Sequence, residues 1–265
     1  MKLFQFQRAQ IPLLISNPHG GTILPPEIAA RMTEEGRALP DTDWFLNRLY
    51  DWSDDASAAD LDGAGKITGN ISRYVVDLNR GSDNQHLYPG QNSTGLCPVQ
   101  TFAGQPLYLD GQQPTPEEIA TRIEHYWQPY HDQLQSELDR LINKFGHVVL
   151  LDAHSIASRV PRLFEGQLPD FNIGTQHGKT CSDALQQKIR GFLDGLENTE
   201  YSQVDNGRFV GGYITRHYGQ QKKVEAVQLE LSQRTYLDEA NQAWAESKAA
   251  AVQKSLQDFV RALIA

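Results

Sequence analysis

Two apolar runs constrain this chain more than any other feature. Residues 11–16 (IPLLIS) and 147–152 (HVVLLD) are short, apolar and bounded by polar turns, as central β-strands are. Each leads into a histidine. The first passes into Asn17, Pro18, His19, Gly20 and Gly21, and the second into Asp152, Ala153, His154 and Ser155. Ligands of an open α/β sheet bind at the carboxyl edge of its strands, so two strand ends that each offer an imidazole suggest one site.

Further elements fit a layered α/β chain. Residues 73–78 (RYVVDL) and 224–231 (VEAVQLEL) are strand-like. Pro25 and Pro26 open a helix near residues 26–33, and residues 42–52 place Phe45, Leu49 and Trp52 on one helical stripe with Leu46 beside it. The clearest helix spans residues 115–146: Thr115 and Glu118 make a capping box, Pro116 takes the first helical position, and Gly146 ends it. Pro129 is expected to kink or split it. A last helix runs from about Asp238 to Leu263, with Ala245, Ala249, Val252, Leu256, Phe259 and Leu263 on one apolar face. Strands alternating with helices indicate an α/β architecture. The 265 residues, 39% of them hydrophobic, suffice for one core, and residues 1–265 read as a single domain without a linker. Residues 79–114 and 155–182 are long polar stretches that start after reactive strand ends, so they read as functional loops.

Composition removes several classes. A net charge of −9 argues against a nucleic-acid binder, which needs a basic surface, yet leaves room for an anionic small substrate met by local arginines. Cys97 and Cys181 have no C-x-x-C spacing and read as partly buried thiols. The segment MKLFQFQRAQ has no apolar signal-peptide core, and no run approaches the ~20 residues that span a bilayer, so a soluble, cytoplasmic protein without a membrane partner is expected. Nothing in the sequence fixes an oligomeric state.

Hydrolytic zinc is typically held by three His, Asp or Glu side chains, with a fourth position left for water. His19 and His154 supply two candidates, and 41-DTDWF-45 offers Asp41 and Asp43 as a third. Asp152 is placed to orient an imidazole from behind. His125 and His131, on the long helix, read as structural, and no spacing singles out His86, His147, His177 or His217. Arg73, Asn79 and Arg80 bracket RYVVDL, and an Asn-Arg pair followed by Gly81 suits a carboxylate clamp. In 208-RFVGGYITRHYGQ-220, Gly211 and Gly212 allow unusual backbone geometry, and Tyr213, Arg216 and Tyr218 offer polar groups to an anion. Glu230 sits within the apolar LEL, where burial would raise its pKa toward that of a general base, unless an arginine pairs it structurally. Glu225 reads as a solvent-face residue.

Together PHGG (18–21), DTDWF (41–45), RYVVDLNR (73–80), LLDAHS (150–155), FNIGT (171–175), GGYITRHYG (211–219) and LELSQRTY (229–236) resemble the N-formylglutamate amidohydrolases, in order through nearly the whole chain. These resemble the zinc carboxypeptidases and aspartoacylase. The resemblance implies a phosphorylase/hydrolase-like three-layer sandwich with a mixed, largely parallel sheet flanked by helices. It implies hydrolysis of N-formyl-L-glutamate to formate and L-glutamate, the last step of one histidine-degradation route. By motif position His19 and His154 would bind one Zn²⁺ per chain, Glu230 would be the catalytic carboxylate, Arg73 would polarise the scissile carbonyl, and Asn79 and Arg80 would hold a carboxylate. The wider group takes its acidic ligand three residues after the first histidine; Thr22 stands there, so the third ligand is assigned to Asp43. Arg216, with Tyr213, would receive the second carboxylate of the dianion. His and Asp ligands also accept Mn²⁺, Co²⁺ or Fe²⁺. The same residues would serve a zinc deacylase for N-acetylaspartate or N-succinylglutamate, and a catalytically silent anion binder would keep the arginines without a metal.

Overall fold

The computed structural model describes residues 1–85 and 92–265, so His86 lies outside the described residues. In chain order the elements are β1 (Phe4–Gln7), β2 (Leu13–Asn17), α1 (Pro26–Ala29), α2 (Glu34–Ala38), α3 (Leu46–Leu49), β3 (Gly65–Gly69), α4 (Pro116–Arg122) and α5 (Gln128–Phe145). They continue with β4 (Val148–Ile156), β5 (Phe171–Gly174), α6 (Asp183–Leu196), β6 (Gln203–Asp205), α7 (Tyr213–Tyr218), β7 (Val224–Ser232), β8 (Leu237–Asp238), β9 (Ala243–Trp244) and α8 (Glu246–Ile264). Seven strands form one sheet in the order β1-β3-β2-β4-β7-β5-β6. Strands β3, β2, β4 and β7 pair in parallel, while β1 and β5 join it antiparallel.

Why β2 and β4 read as apolar runs is visible in what covers them. Successive side chains of a strand point to opposite faces. Leu13, Ile15, Val149, Leu151 and Val227 pack on one face with Leu185 and Ile189 of α6 and Val252 and Leu256 of α8. Leu14, Val148, Leu150 and Ala226 pack on the other with Tyr130, Leu134 and Leu138 of α5 and Ile214 of α7. A strand buried on both faces loses the polar–apolar alternation. The arrangement is the expected three-layer one.

Several boundaries differ from expectation. Residues 73–78 form no strand: Val75 N–H donates to Ser72 O and Arg80 N–H to Asp77 O, so local turns take the backbone groups a ladder would have used. The neighbouring place in the sheet belongs to β3, GKITG, with only its alternate residues buried. The helix expected over 42–52 shrinks to α3, preceded by Phe45 at φ 56°. That over 26–33 stops at Ala29, and Thr33 caps a separate α2 by accepting from Gly36 N–H at 3.0 Å. The long helix is continuous in path, but its Ile123–Trp127 turn is a π-turn just before Pro129. Proline lacks the N–H that an α-helical turn would need there, and the wider turn absorbs the mismatch. Thr115 caps Glu118 N–H and Gly146 closes the helix at φ 83°, whereas the Glu118 carboxylate turns to Arg31 and Arg122 instead of completing a capping box. The last helix begins at Glu246, because Leu237–Asp238 and Ala243–Trp244 pair as a small hairpin. Finally, β4 runs on through His154 and Ser155, so His154 is a strand residue and not a loop residue.

Candidate active site

His19 lies two residues beyond β2, in a loop pressed against a neighbouring turn. A Cβ on Gly21 would sit 2.5 Å from Asn70 C and Ile71 O, so only glycine allows that approach. The backbone N–H of Asp43 donates to His19 O at 3.2 Å and brings the carboxylate alongside. His154 enters from β4, and the two imidazole centroids stand 4.9 Å apart. The Nδ1 atoms of His19 and His154 lie 3.9 and 3.3 Å from Asp43 Oδ2. One ligand atom from each of His19, Asp43 and His154 falls within 4.8 Å of the others, all buried.

The backs of both rings are held by carboxylates. His19 Nε2 is 2.7 Å from Asp77 Oδ1, and His154 Nε2 is 3.0 Å from Asp152 Oδ1. A proton on His19 Nε2, directed at Asp77, leaves the His19 Nδ1 lone pair turned toward Asp43, the tautomer a metal requires. Ser155 N–H donates to Asp43 Oδ2 at 3.1 Å, while Asp43 Oδ1 is buried without a hydrogen-bond partner among the described residues. Two imidazole nitrogens and an under-satisfied carboxylate oxygen fit a divalent cation of the zinc type. Asp41 is excluded from this cluster by its own engagement: its Oδ2 accepts from Phe102 N–H at 2.7 Å.

Glu230 is paired with His154 in the β4–β7 register and is 7% exposed. Asp152, His154, Gln228 and Glu230 all project to the α5/α7 side, two residues apart on each strand. Gln228 Nε2 donates to Glu230 Oε2 at 3.4 Å, and Gln228 Oε1 accepts from Gly212 N–H at 2.6 Å. Burial raises the Glu230 pKa well above the usual carboxylate range, with the charge on Asp43 adding to it against the pull of His154 and Arg73. Burial also opposes charge on His154, but Asp152, Asp43 and Glu230 outweigh it and raise its pKa. His19 moves the other way, lowered by burial and by Arg73. Asp77 is held well below the carboxylate range because His19, Arg73 and Arg80 override its desolvation.

Arg73 Nη2 meets Asp77 Oδ2 at 3.1 Å, Nη1 lies 3.5 Å from Asp43 Oδ1, and the guanidinium sits 4.6 Å over the Phe102 ring. One cavity is lined by His19, Arg73, Asn79, Arg80, His154 and Glu230. Asn79 is more committed than expected: its Oδ1 accepts from Ile214 N–H at 2.7 Å and its Nδ2 donates to Asp152 Oδ2 at 3.1 Å. Arg80 Nη1 donates to Gln85 O at 3.0 Å. Neither Tyr213 nor Arg216 is among the described residues lining this cavity. The Tyr213 ring packs 5.8 Å from Trp127 and stacks on His217, and Tyr218 OH is spent on His131. Arg208, from the same sequence stretch, lines the cavity instead. Sequence reasoning also missed Asp77 and Gln228. Asp77 was findable, since it stands four residues after Arg73 and two before Asn79 within RYVVDLNR.

Three comparisons bear on this geometry. A family model described as N-formylglutamate amidohydrolase matches residues 11–237. The N-formylglutamate deformylase of Pseudomonas putida is 46% identical over 266 residues, covering 100% of this chain and 96% of that protein. The protein of the same name from Pseudomonas aeruginosa is likewise 46% identical, covering 100% and 97%. Among solved structures, the N-formylglutamate amidohydrolase from Ralstonia eutropha JMP134 superposes with a TM-score of 0.80 at 22% identity, covering 99% of this chain and 97% of that one, a likeness of fold.

Proposed function

This chain belongs to the N-formylglutamate amidohydrolase family, and from that premise we infer that it is an amide hydrolase cleaving N-formyl-L-glutamate to formate and L-glutamate. We further assign residues 1–265 to one catalytic domain, the activity to the last step of one histidine-degradation route, and the protein to the cytoplasm, as the family resemblance implies. Among the described residues no helix is long and apolar enough to cross a membrane. The observation that carries the reading is one cavity lined by His19, His154, the buried Glu230 and several arginines, with Asp43 clustered behind the two histidines.

His19, Asp43 and His154 would hold one divalent cation, Zn²⁺ in our reading, with Mn²⁺, Co²⁺ or Fe²⁺ acceptable to the same donors. Bound there, such an ion supplies Lewis acidity, lowering the pKa of a water to about 7. Glu230 takes the proton of the attacking water as the new C–O bond forms. It then returns the proton to the glutamate nitrogen as the C–N bond breaks, and a raised pKa suits both tasks near neutrality. Arg73, fixed by Asp77, faces the developing oxyanion, where a preorganised charge is worth more than in water. Arg80 receives a substrate carboxylate, beside Asn79. Fixing it orients the amide for attack.

The test is metal content of the purified protein with formate release measured before and after chelation. About one zinc per chain, with activity lost to chelator and regained with zinc, is expected. Metal without formate release from N-formylglutamate would move the substrate to another acyl-amino acid. Absence of both would favour a silent anion binder.

A further inference from the structure

We propose that Arg208 reads the second, side-chain carboxylate of the substrate and thereby sets the preference for a dianion over a monoanion. The inference rests on the deformylase reading above and deepens it.

Among the described residues, three arginines line the cavity: Arg73, Arg80 and Arg208. Arg73 is tied to Asp77 and Asp43 beside the candidate metal ligands, which suits it to the reacting carbonyl. Two arginines then remain for two carboxylates. Arg80 directly follows Asn79, whose Nδ2 lies 2.8 Å from His154 Nε2. That places Arg80 on the side of the reacting centre, where the α-carboxylate, two bonds from the scissile nitrogen, must lie.

Arg208 reaches the cavity from a different part of the chain. It precedes α7, and its Nε donates to Leu163 O at 2.9 Å and its Nη2 to Asn92 O at 3.2 Å. These bonds to carbonyl oxygens orient the guanidinium fork at the cavity wall. The guanidinium also lies 5.2 Å from the Phe209 ring centroid. Phe209 belongs to a small apolar cluster with Ile156, Val160 and Leu168, separate from the two faces of the sheet. Leu163 and Phe209 line the cavity too. An apolar stretch next to a fixed cation matches a glutamate side chain: two methylenes, then a carboxylate.

The experiment compares wild type and Arg208→Gln on N-formyl-L-glutamate and N-formyl-L-glutamine, with metal content and circular dichroism recorded for both proteins. A site built for a charged group discriminates strongly against the neutral analogue. The expected result is a wild-type preference for the glutamate form that falls roughly a hundredfold in Arg208→Gln, through KM and not kcat, with partial recovery in Arg208→Lys. An unchanged preference would overturn the proposal. The same proteins are tested by thermal shift with glutarate, using butyrate as the monoanion control. If wild type hydrolyses neither formyl compound, the deformylase reading fails, and the glutarate shift alone decides Arg208. A shift lost in Arg208→Gln supports the assignment and an equal shift refutes it. Should Arg208→Gln not fold, Arg208→Lys serves for both readouts, with a weakened preference and a smaller glutarate shift expected and wild-type values refuting the assignment.

Discussion

His154 and Glu230 occupy paired positions on the parallel strands β4 and β7 and project to the same side of the sheet. Their backbones are held by the hydrogen-bond ladder, at the ~4.8 Å spacing of neighbouring strands. A candidate metal ligand and a candidate proton carrier are thus fixed relative to each other by main chain.

Glu230→Gln tests that pairing. The amide has nearly the shape of the carboxyl group but neither takes up nor releases a proton near neutral pH. The variant is expected to retain its metal and to lose roughly a hundredfold to ten-thousandfold in kcat, the range general acid–base catalysis supplies. Steady-state kinetics with metal analysis checks this, and unaltered turnover would remove Glu230 from the reaction.

Asp77→Ala probes support from behind the metal cluster. The carboxylate meets His19 Nε2 at 2.7 Å and Arg73 Nη2 at 3.1 Å. Loss of such a partner typically lowers metal affinity by about 10- to 100-fold. Competition against a chromogenic chelator measures it, and an affinity equal to wild type would show that His19 needs no such orientation.

Gly21→Ala forces a Cβ to 2.5 Å from Asn70 C and Ile71 O, both backbone atoms that cannot swing aside. The loop bearing His19 must move, at a cost of about 1–3 kcal/mol. Urea denaturation and zinc titration are both expected to weaken. Gly191→Ala is the matched control: it lies within α6 with nothing within 4 Å of the added Cβ, so it should be neutral or stabilising.

His131 predicts acid sensitivity. Leu78 O can only accept, so His131 Nε2 at 2.9 Å must donate to it, and Nδ1 then accepts from Tyr218 OH at 2.9 Å. Burial, the largest cause, lowers the pKa from 6.5 to about 3. The unfolded chain therefore binds a proton that the folded one refuses between those values. Stability falls as pH drops through this window, by up to about 1.4 kcal/mol per unit. Calorimetry from pH 7 to 4 should show a shallower decline of Tm in His131→Asn than in wild type, although the variant starts lower. Parallel slopes would dismiss this origin.

How much of this was legible in the sequence depended on whether a residue's neighbours were local. Runs such as IPLLIS and HVVLLD revealed their strands because burial on both faces leaves its mark on consecutive residues. RYVVDL carries the same composition, yet its burial comes from a folded-back turn closed by the Arg73–Asp77 pair, which strand propensity does not register. Strand β3 hid for the opposite reason: GKITG has two glycines and a lysine, and only its partners on both sides make it a strand. In the site, His19 and His154 could be picked out because each ends a recognisable run. Asp43 could be assigned from the sequence, and the backbone bond from Asp43 N–H to His19 O is what brings its carboxylate alongside. That Arg208 and not Arg216 is among the described residues lining the cavity depends on the path of the chain into α7, which local pattern does not register.

Position within the sheet also governs how the enzyme should fail. Strands β4 and β7 share the longest ladder in the sheet and are buried along almost their whole length. Such segments open only with global unfolding, not by local fraying. Glu230 and His154 therefore have no intermediate stage of separation. Heat inactivation should be abrupt and coincide with the melting of the whole domain, and a sample held just below that temperature should keep full specific activity.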